Sequence, residues 1–304
     1  MNKKTEGAAQ KPTAFVTGAS GFVGSHLARR LVREGWQVHI LIRLGSKVPS
    51  AVEFSQMTKH IHDGTTACMI SCLEDAKPEV VFHLASLFVS EHSNQDIDAL
   101  IQSNVLFGAQ LLEAMHANNI KSIVNTGTSW QHFNNEAYYP VCLYAATKQA
   151  FEALMLYYTR ATCLKAITLK LFDTYGPDDP RPKLFNLLSK ASSSGEQLNM
   201  SEGKQMIDIV HIDDVVDAYL IAAQRLINGI VIEQECYAIS SGKPLCLRDL
   251  VQRYSEITKK IVNVKWGTRP YRLNEVMNTW RTGKLLENWK PKVSLDVGIK
   301  DVTN

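Results

Sequence analysis

At 304 residues, with 45% hydrophobic residues and a net charge of +3, the chain is long enough for a large core, as one big α/β domain or two lobes. The mild charge, with no basic stripe interleaved with aromatics, gives no sign of a nucleic-acid partner. No apolar run approaches the roughly 18 residues that span a bilayer, so no membrane partner is expected either.

The first dozen residues contain Lys, Gly and Ala without an apolar stretch, and are expected to form a disordered leader rather than a signal peptide or a fold element. Cysteines are scattered at 68, 72, 142, 163, 236 and 246. Only Cys68 and Cys72 are close, and no second ligand pair accompanies them, so no metal is expected and a reduced, cytoplasmic compartment fits best.

Ala14 to Thr17 is a short apolar and β-branched run that suits a buried strand. Gly18, Gly21 and Gly24 follow at three-residue spacing, and Ser25 to Glu34 reads as a helix with Leu27, Leu31 and Val32 on one face. Strand, glycine turn and helix form a dinucleotide cradle: Gly18 for the sharp turn, Gly21 for close approach of a pyrophosphate, Gly24 for helix–strand packing. The phosphates would sit over the first helical N–H groups, where the helix dipole favours negative charge.

Further along, Gln37 to Ile42 is a second strand and a short third one ends at His62-Asp63-Gly64. Thr65 to Asp75 suits a helix stopped by Pro78, and Val80 to Leu84 is apolar nearly throughout, as in a parallel strand buried on both faces. Asn94 to Asn118 is periodic enough for a helix of several turns. Ser122–Thr126, Leu143–Thr162 and Ala166–Phe172 continue as strand, helix and strand. This alternation predicts an α/β fold with a doubly wound, Rossmann-type parallel sheet over 12–172. The segment 173–182 is rich in breakers, and residues 173–304 are expected to form a smaller C-terminal lobe, with 211–240 (helix Ile212–Leu226, strand Cys236–Ser240) returning to the sheet. A cleft between such lobes is the default ligand site.

Two further features carry chemistry. Tyr144 and Lys148 lie four apart, so on a helix they share a face, and a lysine cation beside a phenol would lower its pKa toward the range of a neutral-pH acid or base. Thr126-Gly127-Thr128-Ser129 falls at the C-terminal end of the fifth strand, the edge where ligands bind in open parallel sheets; a turn or capping role is the plainer alternative for its hydroxyls. Trp130, Gln131 and His132 come next and are placed to line a pocket.

Thr17 to Gly24, His83-Leu84-Ala85, Tyr144 with Lys148, Leu171 to Pro177 and Val210 to Val215 together resemble the extended short-chain dehydrogenase/reductase family, in the family's order and from about residue 12 onward. Asn125 to Ala150 is similar to the branch that reduces nucleotide-linked 4-keto-6-deoxyhexoses, to which the abequose, paratose and fucose synthases belong. The resemblance implies catalysis by Thr128, Tyr144 and Lys148. It implies dinucleotide contacts from Gly18, Ser20, Gly21, Phe22, Val23, Gly24, Asp63, Leu84, Ala85 and Lys148. Substrate contacts would come from Ser86, Thr128, Trp130, Asp173 and Arg269, the last as a diphosphate clamp, with Arg272 next in line. A homodimer through the helices at 94–118 and 143–162 is implied as well.

Three positions depart from the family's pattern. Asp173 stands where Asn is common near the diphosphate, Ile207 where many members have an arginine, and Ser129-Trp130 where the dehydratases carry an acidic pair. Without those carboxylates, 4,6-dehydration lacks proton-transfer agents. At the end of the second strand, Ile42 occupies the place of the acid that binds the ribose in NAD-specific members, and Arg43, with Ser46 or Lys47, can pair with a 2′-phosphate. The expected reaction is therefore NADPH-dependent reduction at C4 of a nucleotide sugar. A 4-epimerase retaining NAD and a non-catalytic dinucleotide sensor are the alternatives, the sensor disfavoured because it needs no proton donor.

Overall fold

The structure, a computed structural model, describes residues 11–46 and 50–303, so the leader to Gln10 and Lys47 lie outside the described residues. In chain order, β1 (Thr13–Thr17) leads through the glycine turn into α1 (Phe22–Arg33), then β2 (Gln37–Arg43), β3 (Thr58–His62), α2 (Thr66–Ala76) and β4 (Val80–His83). A long interrupted helix follows, comprising α3 (Ile97–Ile101), a π-helical segment Gln102–Leu106 and α4 (Phe107–Ala117). Then come β5 (Ser122–Thr128), α5 (Leu143–Ala161) and β6 (Lys165–Leu171). Beyond Phe172 the elements shorten: β7 (Asp173–Tyr175), α6 (Leu184–Ser194), β8 (Leu198–Asn199), β9 (Met206–Ile207) and β10 (Ile209–His211). The chain ends with α7 (Ile212–Ile227), β11 (Gln234–Ile239), β12 (Leu245–Cys246), α8 (Leu247–Thr258), β13 (Val264–Lys265) and α9 (Leu295–Thr303).

Seven strands form one sheet in the order β3-β2-β1-β4-β5-β6-β11, every neighbouring pair parallel. This is the α/β, doubly wound order with a seventh strand added, and its central strands are buried on both faces, as the apolar runs at Val80–Phe82 and Ile123–Val124 require. One face packs against α1 and α7 through Leu27, Leu31, Val215, Tyr219 and Ala222. The other packs against α2, α4 and α5 through Met69, Leu73, Leu111, Met115, Phe151 and Met155. A separate apolar cluster joins α6, α8 and α9 around Tyr175, Phe185, Leu250 and Tyr254. The expected lobe over 173–304 is interleaved with the sheet: α7 and β11 belong to the sheet layers, and Leu286 and Trp289 pack there too, with Trp289 Nε1 donating to the Asp214 carbonyl at 2.8 Å. Among the described residues no helix is long and apolar enough to cross a membrane.

Several boundaries differ from expectation for identifiable reasons. α1 starts at Phe22 rather than Ser25, because Gly21 serves as an extended N-cap and its carbonyl accepts from Ser25 N–H at 2.9 Å. The helix expected over 94–118 is interrupted by the π segment. There Asn104, 2% exposed, bonds the Leu87 N–H at 2.7 Å, the Leu87 carbonyl at 3.0 Å and Thr147 Oγ1 at 2.9 Å. Satisfying that buried amide fixes the loop after β4. β5 runs two residues past Thr126, so Thr128 itself pairs with Leu171.

Below the sheet's carboxyl edge, His83 is buried with its Nδ1 2.9 Å from Thr17 Oγ1. Burial, reinforced by the Lys148 cation, lowers its pKa from 6.5 to about 3, so it is neutral in the folded protein. The unfolded chain protonates this ring below its ordinary pKa and the folded chain does not, so stability present above about pH 6.5 is lost as pH falls toward 3. Urea titrations across that window should show a decline to which His83 contributes at most ~1.4 kcal/mol per pH unit. His83→Gln should flatten the decline, and an unchanged slope would contradict the assignment.

Candidate active site

The site is built from the glycine turn outward. Gly18 has φ +75, and a Cβ there would come within 2.6 Å of Ala85 N and 2.7 Å of Leu84 C. A Cβ on Gly24 would overlap the Gly18 carbonyl oxygen, so the helix lies directly against the turn. Gly21 differs: its nearest neighbour would be Gly18 O at 3.3 Å, and its other side opens to the cleft. Close backbone, a helix N-terminus and an open Gly21 fit a dinucleotide pyrophosphate.

At one end a cavity of about 220 Å³ is lined by Gly18, Ser20, Gly21, Ile42, Arg43, Ser46 and His62, with Leu84 to Leu87 and Phe107 opposite. Arg43 closes β2 directly across from His62. Asp63 is not part of this wall; its Oδ1 accepts the Thr65 N–H and O–H at 2.8 and 2.7 Å, a local turn that holds its carboxylate below the usual range. His62, Asp63 and Cys68 also bring one ligand atom each within 4.8 Å of one another, but Asp63 is engaged by Thr65 and Cys68 Sγ by the Ile61 carbonyl at 3.3 Å.

A second cavity of about 260 Å³ shares Gly18, Gly21, Leu84 and Ser86 with the first and brings Phe22, Val23 and Gly24 together with Thr128, Tyr144 and Lys148. The end of β5 supplies Thr128, and the first turns of α5 supply the other two. Thr128 Oγ1 accepts from the Trp130 N–H at 3.3 Å, and the Thr128 N–H donates to Gln131 Oε1 at 3.0 Å, a capping box. The capping role is therefore real, and it leaves the Thr128 O–H free to donate into the cavity.

The electrostatics correct the expectation for Tyr144. Burial dominates, with Cys142 adding to it, and pushes the phenol above its ordinary value; Ser86 and the Arg181 charge pull back less, and Lys148 is not among the groups that lower it. Lys148 is itself 3% exposed, and burial lowers its pKa to about 8 against the pull of Glu152, with Lys170 adding to the depression. A phenol that stays protonated at neutral pH is an acid ready to donate.

A third cavity, about 630 Å³, opens from the second through Trp130, Phe88, Phe172, Asp173, Arg181 and Lys183. Trp130 and His132 line it, and His132 stacks on Trp280 at 3.9 Å. Three cations ring it, each over an aromatic face and each paired with an acid. Arg181 lies 4.6 Å from Phe22 and 2.7 Å from Asp179, and Lys183 lies 4.5 Å from Phe88 and 3.8 Å from Asp173. Arg272 lies 4.9 Å from Trp130 and 2.9 Å from Glu275. The Asp173 carboxylate thus faces Lys183, which offsets the repulsion expected of it. Arg269 does not line this cavity. Its N–H donates to the Met200 carbonyl at 3.2 Å, which turns the segment onto β8 and leaves the side chain exposed, whereas Arg272 reaches the cavity wall. Ile207 contributes an apolar patch.

Gln131 does not line the pocket; it is fully buried beneath it. The reading from sequence missed Asn104, Arg181, Lys183 and the Glu152–Lys170 pair. Thr128-x-x-Gln131 carries the capping-box signature, and Glu152 stands four residues past Lys148, so both could have been found.

Fold and site together define a dinucleotide-dependent α/β enzyme. A profile of the NAD dependent epimerase/dehydratase family matches residues 14–233, well over half of the chain, and the protein belongs to that family, among the nucleotide-sugar-modifying enzymes of the extended short-chain dehydrogenase/reductases. It is 24% identical over 288 residues to a CDP-abequose synthase of Salmonella muenchen, covering 94% of this chain and 95% of that one. It is 30% identical over 308 residues to a UDP-glucose 4-epimerase of Mycolicibacterium smegmatis, covering 94% and 95%. Its fold matches the UDP-glucose 4-epimerase of Brucella ovis solved in complex with NAD, at a TM-score of 0.84 and 20% identity over 96% of this chain and 97% of that one.

The packing predicts an asymmetry between two glycines. Gly24→Ala should cost about 1–3 kcal/mol through overpacking against the turn. Gly21→Ala should cost less, and both should weaken dinucleotide binding. Denaturant titration with cofactor calorimetry checks this; equal stability losses would contradict the packing.

Proposed function

We propose that the protein reduces the C4 keto group of a nucleotide-activated 4-keto-6-deoxyhexose with NADPH. The observation that carries the reading is the end of β2: Ile42, Arg43 and Ser46 line the first cavity, with no carboxylate among its lining residues. A guanidinium there suits a 2′-phosphate, which an acid would repel. The similarity to a CDP-abequose synthase supports the substrate class.

The nicotinamide, when bound, supplies the hydride. Tyr144, kept protonated by burial, gives its proton to the C4 oxygen, and the Thr128 O–H hydrogen-bonds that oxygen. Lys148 makes no side-chain hydrogen bond among the described residues, so its donors are available to a ribose. Arg181, Lys183 and Arg272 face the sugar-linked diphosphate, and the α6–α8–α9 cluster backs the substrate lobe. A homodimer would cover exposed Ile97, Ile101 and Leu106 together with Leu156 and Tyr157 on α5.

The 30% identity to a UDP-glucose 4-epimerase favours a second reading, a 4-epimerase that keeps NAD bound. The two separate in a spectrophotometric assay with a 4-keto-6-deoxy sugar nucleotide and NADPH or NADH. We expect reduced-nicotinamide absorbance to fall with product formed and NADPH to be preferred. Arg43→Ala should narrow that preference, and Tyr144→Phe should slow turnover by roughly 10²–10⁴ while cofactor binding holds. No loss of absorbance with the keto sugar, together with C4 inversion of a 4-hydroxy nucleotide sugar by protein that purifies carrying NAD, would replace this reading with the epimerase.

A further inference from the structure

Under the floor of the second cavity lies a buried polar network that holds the Thr128 backbone from behind. Gln131, fully buried, accepts the Thr128 N–H at 3.0 Å and donates through Nε2 to Glu152 Oε1 at 3.0 Å and Gln149 Oε1 at 2.7 Å. Because a carboxylate only accepts, its amide has one orientation that satisfies all three bonds. Lys170, 2% exposed on β6, donates to both oxygens of Glu152 on α5 at 2.8 Å each. Gly127 lies on top: a Cβ there would come within 2.7 Å of Lys170 Cδ and 3.1 Å of Glu152 Oε1. The pair therefore ties three elements together directly beneath Thr128, and Glu152 shares a helix face with Lys148 one turn earlier.

A buried ion pair is poor evidence of stability, since apolar residues of like volume serve as well. What it adds is geometry: Gln131 Nε2 bridges Gln149 and Glu152, and Lys170 grips both Glu152 oxygens. We propose that Gln131, Glu152 and Lys170 are positioning residues that lock the Thr128 backbone to the helix bearing Tyr144 and Lys148, fixing the spacing of hydroxyl and phenol. The proposal rests on the reading of Thr128, Tyr144 and Lys148 as the acting groups. Charge follows the same frame: Lys148 is faced by Glu152, which raises its pKa, and by Lys170, which lowers it, while the neighbouring His83 is neutral.

The test uses the full chain with wild type, Gln131→Met, Glu152→Gln, the doubly neutral Glu152→Leu/Lys170→Met and the pair-retaining Lys170→Arg. Amide hydrogen exchange at Thr128, NADPH affinity, kcat, KM and the pH profile are read on each. Gln131→Met and the double variant should speed Thr128 exchange and lower kcat on the order of 10- to 100-fold, the cost of a small misplacement, with KM and NADPH affinity little changed. Lys170→Arg should keep wild-type turnover. Glu152→Gln removes the group that raises Lys148, so the alkaline limb of the rate should move to lower pH; if that variant does not fold, the double variant still decides. A folded double variant with wild-type kcat overturns the proposal, whether or not Thr128 exchange speeds up. A wild type that reduces no keto-sugar nucleotide would instead defeat the function reading, and Thr128 exchange in Gln131→Met would still show whether the network holds the strand end to the helix.

Discussion

No Cβ fits on Gly18 or Gly24, and that contact between the first turn and the loop after β4 sets the position of everything the site uses. The turn meets Leu84 and Ala85 on one side and the start of α1 on the other, so two adjacent strand ends are held edge to edge. Thr17 reinforces the junction from below: its hydroxyl lies 2.9 Å from His83 Nδ1 and accepts the Ala85 N–H at 3.2 Å. Because His83 is neutral, this junction carries no buried charge of its own. The three cavities then open in sequence along the carboxyl edge of the sheet, where helix N-termini and strand ends leave backbone groups available.

Within that frame, burial outweighs charge at both Tyr144 and Lys148. A Lys148 pKa reduced from 10.5 to about 8 corresponds to roughly 3 kcal/mol against the cation. A ligand that brings hydroxyls or phosphate oxygens to Lys148 would return part of that energy, which couples ligand binding to the state of the lysine. The Tyr144 phenol, which burial raises rather than lowers, stays an acid near neutrality. Reduction uses such an acid directly, whereas an oxidation at the same carbon would first have to take its proton away.

Much of the fold was legible because its signals are local. Apolar strand runs, helical periodicity and the spaced glycines placed β1 to β6 and α1 within a few residues, and Thr128, Tyr144 and Lys148 do share one cavity wall. What stayed hidden depends on contacts distant in sequence. The π segment follows from the bonds of Asn104 to Leu87 and Thr147, which periodicity within 94–118 does not report. The sign of the Tyr144 shift depends on how deeply it packs, so the Tyr–Lys spacing alone pointed the wrong way. Arg269 and Arg272 differ by three residues in a turn-rich segment, and only the hydrogen bonds of 268 and 269 to Met200 decide which one reaches the cleft.

The proposed reaction is a net hydride transfer from an exchangeable cofactor to one carbon of the sugar. Incubating the protein with NADPH deuterated at the nicotinamide C4 and a nucleotide-linked 4-keto-6-deoxyhexose, then reading the product by mass spectrometry and NMR, tests it directly. Deuterium is expected at C4 of the sugar, with as much NADPH oxidised as product formed. A sugar that gains no deuterium, with the labelled cofactor unconsumed, while a 4-hydroxy nucleotide sugar is inverted at C4 by the same protein, would contradict it.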